Sequence, residues 1–138
     1  MTLALTQAAR EAMLGSVGLL ARADQGASPS MIYIFTTTRP ALGGAAGGSP
    51  QVTIVLADPC GSVASGVATL EQADSTGDLI AVDGVPVWGR WVAGDGEILA
   101  DGDCTGSAGA GPFKVTGSGG GTTLYAGGRA VLGTVSLT

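Results

Sequence analysis

The sequence predicts a mainly β domain, a jelly roll or β-sandwich of about eight short antiparallel strands with one N-terminal helix, and a small barrel is the other architecture it allows. Three observations carry that expectation. Runs rich in β-branched residues recur along the chain, glycine-rich turns separate them at spacings of roughly 8 to 15 residues, and a single stretch near the N terminus has helical period. Twenty-five glycines in 138 residues supply the turns. The length allows one domain with one modest core.

The clearest element is the hairpin VWGRWVAGDGEILADGDCT, Val87 to Thr105, which holds both tryptophans. Val87 to Ala93 reads as a strand, Gly94-Asp95-Gly96 reverses it, and Glu97 to Cys104 returns antiparallel. Alternation puts Trp88, Arg90 and Val92 on one face and Gly89, Trp91 and Ala93 on the other. An aromatic on each face predicts a central strand or a subunit contact rather than a half-solvated edge.

Thr6 to Ala23 is the predicted helix. Thr6 can cap it, and Ala9, Met13, Val17 and Leu20 recur at three- and four-residue spacing as one apolar stripe. Gly15 and Gly18 each cost up to about 1 kcal/mol against alanine, so the helix needs a surface to dock on, either its own β domain or another subunit. The organisation is therefore an arm and amphipathic helix over residues 1–24 and one β domain over residues 25–138.

Met31 to Thr37 is a strand apolar on both faces, followed by the loop ALGGAAGGSP. Gln51 to Ala57 is the next strand, Asp58-Pro59-Cys60-Gly61 a turn, and Val63 to Leu70 a weaker strand. Leu79 to Val82, Phe113 to Thr116 and Leu124 to Ala126 are short strands, and Ala130 to Thr138 closes the chain with clean alternation.

Composition excludes several functions. The formal charge is −5, with one lysine and five scattered arginines, so no basic cluster exists for a nucleic acid. No apolar run is long enough to span a bilayer, and MTLALTQAAR lacks the basic start and long apolar centre of a signal peptide. With no histidine in the chain, Ser-His-Asp and Cys-His nucleophiles and the usual zinc sites are absent. No phosphate-binding glycine motif stands in register, and Cys60 and Cys104 read as buried free thiols.

Two constellations remain. Asp95, Glu97, Asp101 and Asp103 could hold calcium or act as paired glycosidase carboxylates, but Pro112 stands where a calcium loop needs Glu, and aromatic platforms are few. Solvated acids on an exposed hairpin are the plainer reading. Trp88, Arg90 and Trp91 form the other group: core packing, an interface anchor or a sugar platform, with a cation–π contact permitted between Trp88 and Arg90. No catalytic residue, cofactor or metal is expected.

A helix headed by TQAAREAML, a strand ending in TTTRPA before a Gly/Ala-rich loop, an SGVATL strand, the WGRWVAGDGEILADG hairpin and a last strand ending in TVSLT together resemble small tailed-bacteriophage virion proteins. Those chains carry such a helix, an "IYSGTRP"-like strand, an aromatic "WFR...DGT...DG" hairpin and an alternating last strand. Jelly-roll capsid cement or decoration proteins are the members this chain is most similar to. The resemblance implies a non-enzymatic protein on the outer surface of the capsid, made in the host cytoplasm, which bridges major capsid protein subunits and copies of itself and contacts neither nucleic acid nor membrane. Ala9, Met13, Val17 and Leu20 are then the candidates for docking, and Trp88, Arg90 and Trp91 for the seam between copies. A carbohydrate- or receptor-binding module of a phage fibre, and a tail or neck component, are the alternatives.

Overall fold

A computed structural model describes residue 6, residue 13 and residues 18–117 and 122–137, the side chains of residues 136 and 137 excepted. The architecture is mainly β. Among the described residues a short helix, α1 (Leu19–Ala23), precedes nine strands: β1 (Met31–Phe35), β2 (Val52–Ala64), β3 (Val67–Gln72), β4 (Asp78–Leu79), β5 (Trp88–Val92), β6 (Ile98–Thr105), β7 (Phe113–Gly117), β8 (Arg129–Leu132) and β9 (Ser136–Leu137). They join in one sheet of order β4-β8-β7-β6-β5-β1-β2-β3-β9. The choice among sandwich, jelly roll and small barrel is thus met by a single sheet that curls on itself.

The expected hairpin forms, with Trp88 opposite Asp103, Arg90 opposite Asp101 and a bulge between Trp91 and Val92. Strand β5 lies between β1 and β6, and all five of its residues are buried, as an aromatic on each face requires. The core gathers Ile32, Ile34, Ile54 and Leu56 with Trp91, Phe113, Val115 and Leu124. Leu20 and Ala23 of α1 belong to the same core.

Four expectations change. The Asp58-Pro59-Cys60-Gly61 turn is instead an irregularity inside one long strand, β2, where the register shifts between Leu56 and Gly61. Pro59 has no N–H for the ladder, and the Cys60 N–H is taken by the Asp24 carboxylate, so the strand bulges without ending. The real reversal is Ser65-Gly66, both at positive φ, inside the span that reads as a strand by alternation. The alternating stretch Ala130 to Thr138 splits at Gly133, whose N–H donates to Lys114, because β8 pairs with β7 while β9 pairs with β3.

The fourth change is the β6–β7 pair, which is parallel rather than antiparallel, with Cys104 opposite Phe113. A connection as short as 106–112 is unusual for parallel strands. It is held compact by Gly109 N–H bonded to Gly106 and by Gly111 N–H bonded to the Thr105 hydroxyl. Gly109 lies so close to Thr105 that a Cβ there would meet the threonine side chain at 2.5 Å.

Curling brings β3 beside β8, and the side chain of Gln72 joins them: its Nε2 donates to Ala130 O at 3.1 Å and its Oε1 accepts from Leu132 N at 2.8 Å. The same Nε2 donates to Asp78, whose carboxylate also accepts from Val55 N. Beside this seam, Ile80 bridges to Val52 and Ala81 N donates to Gln51 O. Replacing Gln72 with Ala strands a main-chain donor and a main-chain acceptor; a stability loss of about 2 kcal/mol in urea unfolding is expected, and an unchanged midpoint would show that the seam does not depend on it.

Candidate functional site

The residues singled out at the centre of the sequence are interior. Trp88 and Trp91 are fully covered by the chain itself, Arg90 is 8% exposed, and Leu20 is equally enclosed. Their expected role as docking or seam residues is therefore corrected: Leu20 and Trp91 belong to the hydrophobic core, Trp88 is covered on the opposite face by Phe35 and Arg90, and Arg90 is itself nearly enclosed in its pair with Asp101. Met13 alone of the described stripe residues stays at the surface. Ala9 and Val17 lie outside the described residues.

Each tryptophan has its polar edge satisfied. Trp91 Nε1 donates to the buried Ser30 hydroxyl at 2.7 Å, which donates in turn to Val92 O at 2.8 Å. Trp88 stacks on Phe35 with ring centroids 4.4 Å apart, and its Nε1 donates to Thr37 Oγ1. The Thr37 hydroxyl passes the chain of bonds to Ala46 O, in the loop that follows β1.

Arg90 is the pivot of this face. Its guanidinium carbon sits 5.0 Å from the Trp88 ring centroid, the cation–π contact that the spacing permits. Cross-strand from it, Asp101 accepts Nε at 2.7 Å and Nη2 at 2.9 Å, a side-on bidentate pair with both side chains nearly enclosed. The loop joins in, with Gly43 N–H donating to Asp101 and Gly44 O accepting from Arg90 Nη2. The Arg90 guanidinium holds the Asp101 carboxyl below the usual carboxylate range against the opposing effect of burial.

The acidic constellation is thereby divided among arginines. Asp101 belongs to Arg90, Asp103 pairs with Arg39 at 3.4 Å, and Asp95 and Glu97 both pair with Arg22 of α1. Among the described residues no group of acidic or thiol side chains is arranged to hold a metal ion. The hairpin turn is instead the dock of the helix: Gly94 N–H donates to Ala23 O, and a Cβ on Gly94 would meet Ser28 O at 2.1 Å. Cys60 and Cys104 are buried free thiols, and burial pushes both up to about 12, with the Asp24 carboxylate adding to the effect at Cys60. Neither is poised as a nucleophile.

The surface that is open lies elsewhere. Leu79, Val82, Val85 and Val87 are exposed along one segment, beside exposed Tyr125. The segment is fastened to residues 124–128 by reciprocal Gly84–Leu124 bonds, by Ile80 N to Gly128 O and by Gly127 N to Ile80 O. Asp83 accepts from Ala126 N at the same junction. Ile80 and Leu124 anchor the strip from below as buried core residues, so it is a fixed apolar surface of the kind that marks contact sites. Sequence reading missed it because Leu79 to Val82 looks like an ordinary core strand; only the exposure separates Ile80 from its neighbours.

Three outcomes are expected. Asp101→Ala leaves Arg90 enclosed without its counter-ion and costs about 3 to 5 kcal/mol near neutral pH. Because the folded carboxyl titrates below its unfolded value of about 4, the stabilisation is present above that pH and disappears as pH falls through the folded value; the gap between wild type and Asp101→Asn in denaturant melts should close there. A thiol reagent at mildly alkaline pH should leave both cysteines unmodified in the folded chain and label both in urea. Compared with known protein families, curated proteins and solved structures, the chain has no significant match to any of them.

Proposed function

We propose that the chain is a non-enzymatic virion structural protein of a tailed bacteriophage, a capsid cement or decoration protein that stabilises the head by bridging major capsid protein subunits. The observation that carries this reading is the exposed aliphatic strip Leu79, Val82, Val85 and Val87 with Tyr125, held rigidly on an otherwise self-contained β fold. A decoration protein acts by added buried area, and preformed apolar surface binds without an ordering cost. The formal charge of −5 suits an outer capsid surface and opposes contact with the packaged genome. The sequence resemblance to small phage virion proteins points the same way.

The interface assigned in this reading differs from the one the sequence suggests. The strip and Met13 replace Trp88, Arg90, Trp91 and Leu20, which are enclosed. A glycan-binding module loses its tryptophan platform for the same reason. A tail or neck component would use the same strip, and its partner distinguishes it.

The test is cosedimentation of the purified protein with capsid shells of its phage that lack it. Saturation at a fixed ratio to the major capsid protein, with a raised shell melting temperature, is the expected result. The double substitution Val82→Asp and Val85→Asp should weaken binding at least about tenfold while leaving the unfolding temperature of the free protein unchanged. Binding to isolated tails and not to shells would move the protein to the tail or neck, and failure to bind either would end the virion reading.

A further inference from the structure

The middle of the exposed strip rests on one enclosed polar residue, Gln51, just before β2. Gln51 is 1% exposed, and its Nε2 donates to Val82 O at 3.1 Å and to Gly84 O at 2.9 Å. Its main chain adds two bonds: N donates to Ile34 O of β1 at 2.7 Å, and O accepts from Ala81 N at 2.8 Å. One residue thus ties β1 to Ala81, Val82 and Gly84. The orientation of the amide is fixed, because turning it over would set Oε1 against two carbonyl oxygens. As it stands both donors are engaged, while the enclosed Oε1 has no partner among the described residues. An enclosed unpaired acceptor is unfavourable, and methionine would fill the same space without one. The two donors, rather than the volume, therefore account for glutamine here.

We propose that Gln51 is the positioning residue of the contact strip: its carboxamide holds the segment 81–84 so that Val82 and Val85 face outward, and it sets the affinity for a partner it does not touch. On the decoration reading, on which this assignment rests, the partner is the capsid shell. The two carbonyls that Gln51 holds bracket Asp83, and Val82 and Val85 beside them are both exposed. Gly84 lies at φ +146° and pairs with Leu124 on its other side, so the segment is gripped from β1 and from residues 124–128 together. The grip is close: a Cβ on Gly84 would meet Thr36 Cγ2 at 3.2 Å and Gln51 Nε2 at 3.7 Å. Exposed valines on a loose segment would fold onto neighbouring apolar surface, and a partner would then have to order them again on binding. Fixing them beforehand removes that cost from association.

The experiment compares the full wild-type chain with Gln51→Met, which keeps the length of the side chain and has no N–H. Amide hydrogen exchange reads the segment, and cosedimentation with capsid shells lacking the protein reads the partner. Protection at Gly84 and Leu124 should fall at least about tenfold while Leu56 and Leu70, bonded to Ser30 O and Val135 O, keep theirs. Shell binding should weaken at least about tenfold, the scale of ordering a residue or two anew. An equal loss of protection at all four amides would make Gln51 an ordinary core residue, and a loosened segment with undiminished shell binding would separate it from the partner; either overturns the proposal. Gln51→Asn, which withdraws the same amide by one methylene, is the second variant if Gln51→Met does not fold. A wild-type chain that binds no shells ends the decoration reading, whereas unchanged exchange at Gly84 overturns the role of Gln51 with or without shells.

Discussion

A sheet that curls until its margins meet must satisfy the main-chain groups on both, and here the amide of Gln72 does so. Its carbonyl and amino groups engage Leu132 N and Ala130 O as a neighbouring strand would. Around that contact Asp78 takes Val55 N, Ile80 bridges to Val52, and Val135 O accepts from Leu70 N. The core residues Ile54, Leu56, Val115, Ala130 and Leu124 are enclosed because these margins close over them. A side-chain amide suits the task, since it carries one donor and one acceptor group at the end of a flexible stem.

The outer face of the hairpin is organised by a second polar device inside apolar surroundings, the Arg90–Asp101 pair. Enclosing an ion pair is costly unless the remaining hydrogen-bonding capacity is met, and the loop after β1 meets part of it through Gly43 and Gly44. The loop's glycines and alanines carry almost nothing apolar to pack, so its position over the face depends on these main-chain bonds and on Thr37 to Ala46. Trp88 is enclosed as a consequence. Trp88 lies under Arg90 and against Phe35, and Trp91 is fixed from the core side by Ser30. The chain therefore keeps both tryptophans inside and presents an aliphatic strip outside.

The hairpin, its register partners and the centrality of β5 were legible in the sequence because they rest on local signals, a Gly-Asp-Gly turn flanked by period-two runs. The cation–π contact was legible from a two-residue spacing on one face. The role of Gln72 was not. A glutamine at the end of an apolar run looks the same whether it is solvated or joins two strands, and nothing local marks which. The strip from Leu79 to Val87 was hidden in the same manner, since alternation tells which residues share a face and not which face is covered.

What the sequence by itself determined is the class of structure: β-branched runs between glycine turns make strands, and a chain with no histidine offers no imidazole to a Ser-His-Asp or Cys-His centre. What only the tertiary structure decided is which apolar residues are available to a partner. Hydrophobicity specifies that Trp88, Trp91, Leu79 and Val82 all favour leaving water; the curled sheet takes Trp91 into its core, Phe35 and Arg90 cover Trp88 on the opposite face, and the aliphatic strip is left outside.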